Sequence, residues 1–305
     1  MSSTLSRVDG NVAALSTGWR GVLFDYYELT KPRIVLLLLV TTLAAMIMAA
    51  GGFPPLGLTV VTLLGGALAA GSGGAFNCVI DRDIDRKMTR TLMRPVAAQR
   101  IPPAHGLAFA TALGLISFGL LYLLVNPLAA WLSLGGNVYY VLVYTLWLKR
   151  TTTLNIVIGG AAGAVPPLVG WAAVTHGIGA PALALFGLIF LWTPPHFWAL
   201  ALMTNTDYHK AKVPMLPNVK GIERAKHEVF WYTVVLVAAS LTLWPLHVMG
   251  LWYLVPAVVF GAIFVYLAWR MLRGPTKPTA RVVFKYSLLY LALMCAAMVL
   301  DRVLG

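Results

Sequence analysis

The chain has 305 residues, 59% hydrophobic and 11% charged, with a mean hydropathy of +0.80. A soluble domain carries about 25% charged residues, so the composition excludes a water-soluble globule and indicates an all-α, polytopic membrane protein whose first partner is the lipid bilayer. The net charge of +13 would suggest nucleic acid in a soluble chain, but the basic residues are spaced as topology signals and no nucleic-acid partner is expected.

Residues 1–30 contain Arg7 and Arg20 but no apolar stretch of signal-peptide type. They read as a cytoplasmic leader before a single transmembrane domain over 31–305. A mitochondrial transit peptide is the weaker alternative, because arginines are few. Nine apolar runs then follow, each near the length needed to cross hydrocarbon: 33–53, 56–80, 106–125, 127–148, 153–174, 181–203, 229–249, 251–270 and 282–302. Lys285 intrudes on the ninth and must snorkel. All lysines and arginines except Arg302 fall on alternate connections. The positive-inside rule therefore puts the N-terminus in the cytoplasm and the C-terminus outside, in the cell (inner) membrane. The long polar connections, 2–3 and 6–7, share the cytoplasmic face, where a cleft and its chemistry are expected. Runs rich in Gly and Ala permit close helix approach. Pro166-Pro167, Pro194-Pro195 and Pro245 are expected to kink their helices and open space for a bulky apolar substrate.

The second span ends in Asn77-Cys78-Val79-Ile80-Asp81-Arg82-Asp83-Ile84-Asp85. Steps of four place Asn77, Asp81 and Asp85 on one face of a continuing helix, with Asp83 off it. These carboxylates sit at the negative end of the helix dipole, an unfavourable place that a divalent cation would make favourable. Hard cations such as Mg²⁺ take oxygen ligands, often shared with substrate phosphates. Arg90 and Arg94 follow as a cationic rim; an ordinary charged juxtamembrane loop is the plainer alternative. Span 4 ends in Tyr144-Thr145-Leu146-Trp147-Leu148-Lys149-Arg150, whose two cations by spacing alone read as membrane anchors. Within span 6, Trp192-Thr193-Pro194-Pro195-His196-Phe197-Trp198 carries an imidazole that is either a hydrogen-bonded core residue or a metalloporphyrin ligand or proton relay. Span 6 closes on Met203-Thr204-Asn205-Thr206-Asp207-Tyr208-His209-Lys210. Four spans separate the two acidic motifs, so Asp207 reaches the same face as Asp81. Cys78 and Cys295 lie in apolar runs and form no disulfide framework.

The Asn77…Asp85 motif resembles the first aspartate-rich motif of the intramembrane prenyltransferase superfamily. The strings Asp81-Arg82-Asp83-Ile84-Asp85, Asn155-Ile156-Val157-Ile158-Gly159-Gly160-Ala161-Ala162-Gly163, Trp192 through Leu200 and Pro214-Met215-Leu216-Pro217 narrow the likeness to its heme-directed branch, over roughly residues 25 to 300. The resemblance implies nine helices and two substrates, farnesyl diphosphate and heme b. It implies Mg²⁺ held by Asn77, Asp81, Asp85 and Asp207, and diphosphate stabilised by Lys149, Arg150 and Arg94. Arg90, Tyr144, Asn155, His196 and Lys212 complete the expected substrate-binding set, and heme A synthase is a possible partner downstream. Many superfamily members carry a second Asp four residues after the first in the second motif; this chain has Ala211 there, and Leu92 and Met93 where polar residues are usual. An enzyme prenylating an aromatic quinone precursor is the near alternative. A transporter is the distant one, disfavoured because its polar groups would sit near the midplane and not at helix ends.

Overall fold

The computed structural model describes residues 18–305, and among these the regular elements are all helices, with no strand. Helix α1 (Trp19–Leu29) ends in a tight turn at Thr30-Lys31, and Pro32 opens α2 (Pro32–Ala50). Proline suits a first helical position because its missing N–H would find no partner there anyway. Gly51 stops α2 at φ 65°, a conformation glycine adopts without a Cβ penalty. Then come α3 (Leu56–Ile80), the single turn α4 (Arg82–Asp85) and α5 (Pro103–Leu124). Next, α6 (Pro127–Val138) runs without interruption into a π-helical stretch, Tyr139–Leu148, and α7 (Lys149–Thr151). The remaining elements are α8 (Asn155–Thr175), α9 (Ala180–Met203), the short α10 (Asn205–Lys210) and α11 (Leu216–Lys220), α12 (Ile222–Leu241), α13 (Leu251–Arg273) and α14 (Thr276–Leu304).

Seven of these helices are long and apolar enough to cross a membrane, which fits a multi-pass membrane protein. The other two expected spans are built differently. Run 127–148 is a helix that changes from α to π at Tyr139. Run 229–249 is displaced: α12 starts at Ile222 and ends at Leu241, and residues 242–249 form turns. The early start is possible because Lys226 donates to Glu223 Oε1 at 3.0 Å and Gly274 O at 3.4 Å. The early end places Pro245 in a turn and not in a helix to be kinked, correcting that expectation. By contrast Pro166, Pro167, Pro194 and Pro195 do lie inside helices α8 and α9.

Lipid gives helices no hydrophobic reason to associate, so close packing and interhelical hydrogen bonds hold the bundle. Gly170 of α8 meets α2 so closely that a Cβ there would fall 2.3 Å from Thr42 O. Ser72 and Ser117 tie α3 to α5 by donating to Ala110 O at 2.8 Å and Gly65 O at 2.7 Å. Asn126 caps α6 by accepting from Ala129 N at 2.8 Å and also donates to Ala172 O of α8 at 2.8 Å. Leu115, Leu123 and Trp131 remain exposed, as lipid-facing side chains should.

Helix α1 is not loose. Arg100 Nε donates to both oxygens of buried Asp25, at 2.9 and 3.0 Å, and its Nη1 donates to Met93 O at 3.0 Å. This guanidinium clasps α1 to the loop after α4. Arg100→Ala leaves Asp25 buried and unpaired, a loss on the order of 3 kcal/mol. The thermal midpoint in detergent should fall; an unchanged midpoint would remove the clasp from the account.

Candidate active site

The i to i−4 backbone bonding survives across the joint at Asp81. Asp81 N donates to Asn77 O at 2.9 Å, and Asp85 N to Asp81 O at 2.8 Å. Asn77, Asp81 and Asp85 consequently share one face as their spacing suggests, and all three are buried. Three carboxyl or amide side chains at the negative end of α3 need compensation. A cation from a different element meets each. Lys31 Nζ, in the α1–α2 turn, donates to Asn77 Oδ1. Lys149 Nζ, just past the π-helix, donates to Asp81 Oδ2. Arg94 Nη1, in the loop after α4, lies 2.9 Å from each oxygen of Asp85. Burial pushes the Lys31 ammonium below the usual lysine range, against the pull of Asp81 and Asp85.

The amide of Asn77 is oriented by its other bonds. Its Nδ2 donates to Asp81 Oδ2 at 2.8 Å and to Thr145 Oγ1 at 3.1 Å. Thr145 in turn donates to Tyr140 O, five residues back, at 2.9 Å. Long π-helical stretches are rare and concentrate at functional sites, and this one presents Thr145 and Lys149 to the acidic cluster. Tyr144 stacks on Tyr140 with ring centroids 5.5 Å apart. It lies so close to α8 that a Cβ on Gly159 would be 2.3 Å from its ring.

Arg150 binds exposed Asp83 with Nη1 and Nη2 at 2.9 and 2.8 Å, and that hydrogen bonding holds the Asp83 carboxyl down at about 2. Its Nη2 lies 3.6 Å from Asp81 Oδ1, too far for a hydrogen bond. Asp81 Oδ1 is thus buried without a hydrogen-bond partner, as is Asn155 Oδ1. An unsatisfied buried acceptor is costly, so these two oxygens mark places where a ligand atom would be welcome. Oxygen-only donors, one of them already vacant, suit a hard divalent cation.

The second motif reaches the first, though through backbone. Asp207 accepts from Thr89 N and Arg90 N, both at 3.3 Å. It does not join Asp81 and Asp85 in one cluster: no three His, Cys, Asp or Glu among the described residues stand together as a metal cage. The Arg90 and Lys212 side chains are exposed, and Lys212 adopts φ 55°.

His196 lies away from this cluster, inside α9. Its ring is sandwiched between Trp192, at 4.2 Å, and Phe284 of α14, at 4.7 Å. Ser287 Oγ donates to Phe284 O at 2.7 Å, which spends its only proton. The 2.7 Å contact between His196 Nδ1 and Ser287 Oγ is then donated by Nδ1–H, and Nε2 is left with a free lone pair. Trp192 Nε1 closes the arrangement by donating to Ser287 O at 2.7 Å.

Sequence reasoning missed Lys31, Thr145, the π-helix and Ser287. Lys31 lies 46 positions from its partner Asn77, and Thr145 lies 68 positions away. The basic Lys31-Pro32-Arg33 string was the one available signal, and it counted only toward topology.

Buried oxygens paired with lysine and arginine gather at the ends of apolar helices, an arrangement suited to a charged headgroup with an apolar tail. Residues 38–293 match the UbiA prenyltransferase family, and the chain belongs to that family. Within it, a protoheme IX farnesyltransferase of Gloeobacter violaceus is 53% identical over 301 residues, covering 98% of this chain and 97% of that protein. The chain is accordingly similar over nearly its whole length to a protoheme IX farnesyltransferase. Solved structures share the fold. A digeranylgeranylglyceryl phosphate synthase superposes with a TM-score of 0.77 at 19% identity, over 93% of this chain and 99% of its own. A UbiA homolog from Archaeoglobus fulgidus, solved with GPP and Mg²⁺ bound, superposes with a TM-score of 0.64 at 17% identity, over 90% of this chain and 99% of its own.

Proposed function

We propose that this chain transfers the farnesyl group of farnesyl diphosphate to the 2-vinyl group of protoheme IX, heme b, with addition of water, giving heme O for heme-copper terminal oxidases. Near full-length identity to a protoheme IX farnesyltransferase carries the reading. The chemistry is as follows. The C1–O bond of farnesyl diphosphate breaks, and its electron pair leaves with the diphosphate. The terminal vinyl carbon bonds to C1. The cation so formed beside the porphyrin takes up water and loses a proton.

Asn77, Asp81 and Asp85 would hold Mg²⁺ on one side of the site and Asp207, which stands apart from them on the Thr89 and Arg90 amides, would take it on the other; when bound the ion neutralises diphosphate and improves it as a leaving group. Lys149, Arg150 and Arg94 stabilise the charge that develops on departure. Tyr144, packed on Gly159, and Asn155, with its unpartnered buried Oδ1, line the path of the substrate, with Arg90 and Lys212 at its exposed rim. Exclusion of water shields the allylic cation until the vinyl group reaches it. Heme A synthase would be the consumer of the product. With purified chain, heme b and farnesyl diphosphate, diphosphate release should require Mg²⁺ and stop on chelation. Release with a hydroxybenzoate but not with heme would move the chain to quinone-type prenylation.

His196 is proposed to face the heme pocket by the Nε2 edge. His196→Ala should cut heme O formation; if Nε2 ligates iron, the Soret band of bound heme shifts as well, and if it only orients the porphyrin the band stays. Retention of full activity and an unchanged spectrum would make His196 a packing residue.

All nine segments are proposed to cross the membrane, with the acidic cluster on the cytoplasmic side of the cell membrane. Cysteines replacing Ala98 and Val219 should resist impermeant reagents in intact cells and react after permeabilisation; native Cys78 and Cys295 are buried. Labelling from outside would reverse the orientation.

A further inference from the structure

Among the cations on the acidic cluster, Lys31 is the one that comes from neither the acidic motifs nor the loops that follow spans. Its backbone holds φ 55° and ψ 58°, a conformation uncommon for any residue with a Cβ and further removed from the extended form usual before proline. Strain of this kind persists only where the surroundings impose it. Here they do. The turn is pressed against α3, where a Cβ on Gly74 would lie 3.0 Å from Thr30 O and one on Gly71 would lie 3.2 Å from Thr30 Cβ. Asn77 follows on the same helix, with its Nδ2 committed to Asp81 and Thr145. Its Oδ1 therefore has a fixed direction, and Lys31 Nζ takes it.

An oxygen that accepts from an ammonium group is a poor simultaneous ligand for a divalent cation, because the two positive charges would meet across one atom. The same conflict arises at Asp85, where Arg94 holds both oxygens, whereas Asp81 keeps one oxygen free beside the one that Lys149 takes. A metal ion arriving alone would displace Lys31 and Arg94 and strand them beside it. A diphosphate arriving with it offers the anionic oxygens onto which they can move.

We infer that Lys31 is a diphosphate-contacting residue whose ammonium passes from Asn77 Oδ1 to the diphosphate, and that this exchange makes metal and diphosphate bind as a coupled pair. The inference rests on the reading that Asn77 ligates a metal which meets a prenyl diphosphate. The test uses the full chain in detergent, with Mn²⁺ followed by electron paramagnetic resonance in the absence and presence of a slowly reacting probe, farnesyl thiodiphosphate. Metal carried by the probe in solution is subtracted. In the wild type the probe should tighten Mn²⁺ binding by roughly 10–100-fold. In Lys31→Met, Mn²⁺ alone should bind more tightly and the coupling factor should fall by at least about fivefold, whereas Lys31→Arg should retain coupling. If Lys31→Met does not fold, Lys31→Gln gives the same contrast between neutral and charged side chains. Wild-type coupling that persists unchanged in the neutral variants overturns the role of Lys31 alone. Absence of coupling in the wild type overturns both the inference and the metal–diphosphate reading beneath it.

Discussion

Asp81→Asn should lower the rate of farnesyl transfer by about 10³ or more, the scale lost when one preorganised charge partner of a transition state is removed. Asp81 is fully buried, with one oxygen on Lys149 and Asn77 and the other unpartnered. The amide keeps the shape and can still accept from Lys149, so membrane insertion and the purified yield should stay normal. Asp83→Asn is the internal comparison. Asp83 is exposed and engages only Arg150 among side chains, so its variant should lose far less. Near-normal heme O formation by Asp81→Asn would refute the placing of Asp81 at the diphosphate.

Lys149→Met should damage both stability and turnover. It leaves Asp81 buried without its cation, and breaking such a pair from one side costs about 3–5 kcal/mol. It also removes an ammonium placed to meet charge on the departing diphosphate, a further loss of about 10²–10³ in rate. The two effects separate by measuring the thermal midpoint in detergent beside turnover at a temperature where the variant is folded. A variant with wild-type midpoint and wild-type turnover would contradict the geometry at this position.

The acidic site was legible because it rests on local periodicity. Asn77, Asp81 and Asp85 stay in register through helical hydrogen bonds, and those bonds continue even where the helix breaks at Asp81. Helix existence was legible for the same reason, since an apolar run of span length has few alternatives. What sequence could not supply was position across elements. The shift of the run at 229–249 goes with Lys226 finding a carbonyl in the turn between α13 and α14, Gly274 O. The π-helical stretch depends on tertiary contacts of Thr145 and Tyr144 with α3 and α8. Lys31 looked like one more positive-inside residue because its partner is distant in sequence. For His196 the string around it supplied one stacking ring, Trp192, but the other ring, Phe284, and the hydrogen-bond partner, Ser287, belong to the last helix.

The measurement that bears most directly on the central claim is mass spectrometry of the heme extracted from membranes in which this chain is expressed in a host lacking its own heme-prenylating activity. The account predicts a heme heavier than heme b by one farnesyl group and one hydroxyl group, present with the wild type and missing with Asp81→Asn. Heme b as the sole pigment, with the chain folded in the membrane and farnesyl diphosphate available, would contradict it.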